Sequence, residues 1–139
     1  MDTITNLSIQ DNERENRCLI ALVKDRKIAF FASLVREILV IQRSQILNLP
    51  FYDRSLLGVV HQQNQIIPLV SGRSIFLEAT TKFSQTTLTV IRLERLGHQL
   101  TGVGVVVDRM IESIPQAELT QEHLFQLTDI PQHIWQPLS

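Results

Sequence analysis

One cysteine, one tryptophan and one tyrosine in 139 residues leave this chain short of several chemistries at once. A lone cysteine, Cys18, excludes an internal disulfide and fits a reducing compartment. Its place in an apolar stretch makes it an inert small hydrophobe rather than a nucleophile. Aromatics are only 6% of the residues, too few for a base-stacking platform. Charge of either sign is in no excess, with 13 basic against 14 acidic residues. Nothing therefore draws the chain to phosphate backbones or anionic membranes. No apolar run approaches the ~20 residues that cross a bilayer. Residues 1–16 are polar and mixed in charge, with no signal-peptide core, and read as a loose leader.

The chemistry of an active site is equally sparse. None of His61, His98, His123 and His133 has a partner at metal-ligand spacing, so neither a metal nor a cofactor is expected. Gly102 and Gly104 lack the third glycine and the Lys-Ser/Thr of a phosphate loop, and no Gly-x-Ser-x-Gly elbow occurs. Asp108 ends a run of three valines. It reads either as a buried acid of perturbed pKa or as a turn-capping carboxylate.

Aliphatic residues are abundant, and residues 17–139 suit one domain that buries about two-thirds of its unfolded surface. The organising stretch is Leu56 to Arg73. Two β-rich apolar runs, Leu56–Val60 and Ile66–Val70, flank a polar centre from His61 to Gln65, which predicts a hairpin with an uncharged polar tip. Asn64 tolerates the left-handed conformation of such a tip, and Gly58 admits a close backbone approach. Pro68 places its strand at an edge or bulge. Upstream, Cys18–Val23 and Ile28–Ala32 predict a hairpin around Lys24-Asp25-Arg26. Ser33 followed by Leu34, Val35 and Ile38 predicts a short capped helix. Short strands are expected at Val40-Ile41 and Ile46-Leu47. Phe51 and Tyr52 beside Pro50 form either a packed turn or a contact surface. Ser74–Leu77 briefly continues the second run, and Glu78–Gln85 is a polar loop.

Downstream, Thr86–Leu93 is a strand, Glu94–His98 a turn with Gly97, and Gln99–Asp108 the return strand. Arg109–Ile114 is either a turn or a further strand. Pro115 and Gln116 would start a short helix through Leu127, and Ile134 with Trp135 tucks against the body. Short strands at regular spacing with glycine turns predict a mainly β fold, a barrel or pair of small barrels with at most two short helices.

Two stretches carry a recognisable pattern. One is Gly58-Val59-Val60, four polar residues, then Ile66-Ile67-Pro68-Leu69-Val70 and Arg73. The other is Val103-Gly104-Val105-Val106-Val107-Asp108 followed by Met110 and Ile111. With a Val-x-Glu-Ile match at Val35, Glu37 and Ile38, they resemble the CheW-like domain, the coupling module of bacterial chemotaxis, over about residues 18–120. The resemblance implies two small five-stranded barrels, each like a Src-homology-3 barrel, packed on each other. It implies a cytoplasmic, non-enzymatic adaptor whose partners are a CheA-type histidine kinase and the cytoplasmic tip of a methyl-accepting chemoreceptor. The pathway is chemotaxis or type IV pilus motility, with no nucleic acid and no membrane insertion. The competing reading, a barrel that binds a small ligand or nucleic acid, would need a basic groove interleaved with aromatics.

The chain departs from the family pattern at the tip. The family's Asn-Leu-Arg-Gly is His61-Gln62-Gln63-Asn64 here, so a guanidinium fork becomes a neutral amide at Gln63. The family's Asp after the second strand is Ser71. The family also ends with a further apolar strand and a helix where this chain closes at Ile134–Ser139. The expectation is a domain short at its C-terminus, whose open barrel edge is covered by another segment or self-associates. The candidate partner surface is Val59, Gln63, Ile66, Leu69 and Arg73. Strand residues alternate faces, so Val59, Ile66 and Leu69 read equally well as core.

Overall fold

The computed structural model describes residues 16–78, 83–94 and 102–138. The leader at residues 1–15 and most of the turn around Gly97 lie outside these residues, as do residues 79–82 of the polar loop. Among the described residues nine strands follow in chain order. They are β1 (Arg17–Val23), β2 (Arg26–Phe31), β3 (Val35–Gln42), β4 (Leu56–Gln62) and β5 (Gln65–Ser71). After the helix α1 (Gly72–Leu77) come β6 (Thr87–Leu93), β7 (Gly104–Val107), β8 (Arg109–Pro115) and β9 (His123–Leu124). The fold is mainly β, with two sheets. One has five strands in the order β3-β6-β7-β5-β4, and the other has four in the order β8-β1-β2-β9 among the described residues.

Strand alternation explains how the sheets share a core. In β2, Ile28 and Phe30 point to the space between the sheets, while Ala29 points to the far face. In β6, Ile91 and Leu93 point between the sheets, and Leu88 and Val90 point into the five-stranded unit. Both faces of β6 and β7 are covered, which accounts for the unbroken valine run Val105–Val107. Phe30, Phe76 and Phe125 meet between the sheets, together with Ile130 and Ile134 from the C-terminal segment. Trp135 packs against the same cluster, as the sequence suggested.

Two helix expectations are corrected. Ser33 lies in the 3-10 turn Ala32–Leu34, which has no side-chain cap, and Val35 onward is strand β3. Pairing of β3 with β6 from Val35 to Gln42 outweighs the weak local helical pattern, and the β-branched Val35, Ile38, Val40 and Ile41 favour the strand. After Pro115 there is no continuous helix through Leu127, and Gln116–Glu118, Leu127–Asp129 and Gln132–Trp135 are separate 3-10 turns. His123–Leu124 then pairs in parallel with Ile28–Ala29 as β9. The inward positions still hold, because Leu119 and Leu124 cover Cys18, Ile20 and Ala29 while Leu127 packs between the sheets. Ser74–Leu77, expected to extend the strand, belongs to α1. The Ser71 hydroxyl accepts the Ser74 N–H at 3.2 Å and caps that helix, as an aspartate there would.

Gly58 does what its position suggested. Its φ is +143°, and a β-carbon there would overlap the Leu47 carbonyl oxygen. Leu47 and Val59 exchange hydrogen bonds of 2.8 and 3.0 Å across this gap. Gly58→Ala is expected to cost about 2 kcal/mol, combining backbone strain with loss of this bridge. A urea melt with unchanged slope and a lowered midpoint would show it, and an unshifted midpoint would remove Gly58 from the account.

Candidate partner-binding surface

The β4–β5 hairpin positions the candidate surface. Gln62 pairs with Gln65, leaving Gln63 and Asn64 as a two-residue turn. Both adopt left-handed φ, 50° and 62°, the geometry of a type I′ turn that follows the strand twist. Pro68 stands opposite Val59 and just before the Leu69–Ser71 segment that pairs with β7, so its missing N–H breaks no bond to β7.

Alternation then separates the five candidates. Gln63 is exposed at the tip, and Ile66 is 69% exposed beside it, opposite the exposed His61. Val59 lies on the same outward face, half-buried. Leu69 points the other way and is fully buried with Val60 and Ile67. Arg73, on α1, is also interior: its guanidinium donates to Asp108 through Nε at 3.3 Å and through NH2, and lies 4.2 Å from the Phe83 ring centroid. The tip therefore gathers Gln63, Ile66 and Val59, while Leu69 and Arg73 belong to the scaffold beneath and behind it. Ile38 and Val40 add exposed apolar area on β3, an edge strand of the five-stranded sheet.

Asp108 combines both roles considered for it. Its carboxylate accepts the Lys24 N–H at 2.6 Å, closing the β1–β2 turn, and also a bond from Gln85 at 3.4 Å. Burial by itself would raise the carboxyl pKa. The bonds from Arg73, Lys24 and Gln85, with the Arg73 charge, outweigh it and hold the group below the usual carboxylate range.

One constellation escaped the sequence reading. Arg92 of β6 is only 5% exposed and faces the interior of the five-stranded unit. It donates to Glu37 at 3.1 Å and, through NH2, to the Gln65 side-chain oxygen. The base of the tip is thereby tied to the Val-x-Glu-Ile strand. The available signal was phase: Arg92 falls in step with the inward Leu88 and Val90.

Two histidines stand beside carboxylates of turns. His123 Nε2 lies 2.8 Å from Asp129, which also accepts the Gln126 N–H. His133 Nε2 lies 3.4 Å from Asp53. The Asp53 pKa is lowered, first by the Ser55 backbone N–H. Cys18 is fully buried, and burial followed by the Glu122 charge pushes its thiol up, away from the reactive thiolate. Among the described residues no group of His, Cys, Asp and Glu is placed to hold a metal ion. No helix among them is long and apolar enough to cross a membrane.

No curated protein matches this chain. The scaffolding protein TtCheW from Thermoanaerobacter tengcongensis has a similar crystal structure, with a TM-score of 0.60 at 19% identity. The match covers 77% of this chain and 64% of that one, so it spans under two-thirds of the solved protein, and at this identity it establishes the fold. The sequence model of the CheW-like domain matches residues 17–135, nearly the whole described body including both sheets and the tip. This chain belongs to the CheW-like domain family.

Proposed function

We propose that the protein is a non-enzymatic adaptor of chemosensory signalling, coupling a CheA-type histidine kinase to the cytoplasmic tips of chemoreceptors. Membership of a family that includes a scaffolding protein supports the class of function. The observation that carries the reading to a surface is the tip itself. An uncharged amide, Gln63, and a large exposed aliphatic, Ile66, stand together on a hairpin braced by Arg92. An apolar contact ringed by neutral hydrogen-bonding groups suits a protein partner. Val59 extends this surface, and Leu69 and Arg73 contribute by fixing the strand and helix that present it. The setting is cytoplasmic, in chemotaxis or type IV pilus motility.

Co-precipitation with a CheA-type kinase and with a receptor cytoplasmic domain tests the proposal. Gln63→Ala is expected to leave stability within ~0.5 kcal/mol, as exposed substitutions do, while changing partner affinity. Binding that is unchanged would remove the tip from the interface, and absence of any binding to kinase or receptor would overturn the reading. Self-association through the edge strands β3 or β8 belongs to the same proposal. It predicts a sedimentation coefficient that rises with concentration, and a constant monomer value would count against it.

A further inference from the structure

The end of the five-stranded unit far from the tip carries a second feature. A cleft of 1020 Å³ opens there, floored by Ile46, Leu57, Phe83 and Leu88 and bordered by Arg43 and Arg54. Leu57 stands near the start of β4 and Gln62 at its end, roughly 17 Å apart along an extended strand, with Gln63 in the turn beyond. The lining of the cleft includes none of Val59, Gln63 and Ile66, and the inference does not rest on the proposal above.

Three observations say what fits. The first is charge. Asp53 is the one carboxylate among the lining residues, and it is engaged by the Ser55 N–H at 2.8 Å and by His133. Arg43 donates to the neutral Phe83 carbonyl at 3.1 Å, and no ion pair to Arg43 or Arg54 occurs among the described residues. The border is thus net cationic. The second is exposed apolar area on the same segment as the lining residues. Leu47 is 66% exposed between the lining residues Ile46 and Asn48, and Phe51 is 75% exposed between Pro50 and Tyr52. Large apolar residues massed on one segment mark an interaction site more than scattered ones do. The third is that Leu47 already takes the hydrogen bonds of Val59, so at that position the edge of β4 is closed to a partner strand. The occupant must be recognised through side chains, which suits a helix laid in a groove.

We propose that this cleft is a docking groove for an amphipathic helix of a partner protein, with leucine-type residues on its buried face and glutamates flanking that face. The leucines enter between Phe83 and Leu57, Phe51 and Leu47 lengthen the apolar contact, and the glutamates meet Arg43 and Arg54.

The test titrates the full chain into labelled synthetic helices of about 18 residues, with leucines at i, i+3, i+4 and i+7 and either glutamate or lysine flanks. The glutamate helix is expected to bind ~10-fold or more tighter at about 50 mM salt, with the gap narrowing as salt screens it. Arg54→Glu should reverse the preference. Arg54 is exposed, so that variant keeps the fold. Phe51→Ser should weaken both helices several-fold, and Gln63→Ala should change neither, which separates this groove from the tip. Equal binding of both helices, no binding of either, or an unreversed order in Arg54→Glu would each overturn the proposal.

Discussion

Replacing Phe30 by alanine is expected to remove about 4 kcal/mol of stability, the cost of deleting a fully enclosed aromatic and leaving a cavity. Phe30 is wholly buried between the sheets. Its ring stacks on Phe125, with centroids 4.9 Å apart and planes at 28°, and meets the edge of Phe76 at 6.4 Å and 82°. Phe76 and Phe125 also meet edge to face at 6.1 Å. The three rings come from β2, α1 and the segment after β9, so one side chain joins the four-stranded sheet, the helix and the C-terminal segment. Aromatic pairs add about 1 kcal/mol beyond their buried area. The loss should lower the melting temperature by roughly 10 °C, a large share of the 5–15 kcal/mol typical of such domains. Phe30→Leu, which keeps most of the volume, should cost far less. In a double-mutant cycle Phe30→Ala and Phe125→Ala should cost less together than their sum, because each empties part of the same space. A loss below about 1 kcal/mol would mean that the sheets can close over the gap.

Removing the Asp108 carboxylate should cost nearly as much. The Arg73–Asp108 pair is largely enclosed, with side chains 11% and 16% exposed. Deleting one member of an enclosed pair strands the other charge, at about 3 kcal/mol or more. Asp108→Ala also removes the carboxylate acceptor of the Lys24 N–H, loosening the β1–β2 turn. Arg73→Ala should be milder than Asp108→Ala, because the carboxylate keeps the Lys24 and Gln85 bonds. The double variant should cost less than the sum of the two.

The pair also sets an acid limit. The Asp108 carboxyl is depressed in the folded chain, so its contribution is fully present above the unfolded carboxylate value and is lost as pH falls through the lower folded value. Urea midpoints should fall on acidification through that range. They should fall less steeply in Asp108→Asn, which carries no proton to gain. Parallel pH profiles for the two proteins would refute the assignment.

The tip shows how far local reading reaches. Alternating apolar residues, the polar centre and Pro68 placed the hairpin, and Gly58 marked the close approach of another backbone, later seen to be that of Leu47. Alternation alone left open which face of β4 and β5 is inward. The structure puts Val59 and Ile66 outward and Leu69 inward because β5 is fixed by pairing with both β4 and β7. Arg73 is four residues from Leu69 and reads as a surface cation. Its partner Asp108 is 35 residues away, so the pair exists only once β7 lies beside β5. Arg92 is likewise bound to Glu37 and Gln65, 55 and 27 residues distant.

The chain by itself determined the mainly β class, the order of the principal strands, the hairpin with its neutral tip and the family pattern. These rest on period-two burial, turn residues and motif spacing, all of which act over a few neighbouring residues. Tertiary structure decided the rest. Residues 33–39 have a locally helical spacing, yet from Val35 onward the chain is β3 because β6 offers a ladder of partners. The segment after Pro115 became turns and a two-residue strand because Leu119, Leu124 and Phe125 must cover two different faces. Arg73 and Arg92 became braces because each buried guanidinium meets a carboxylate far away in sequence, Asp108 for one and Glu37 for the other, where an unpaired charge is too costly to keep.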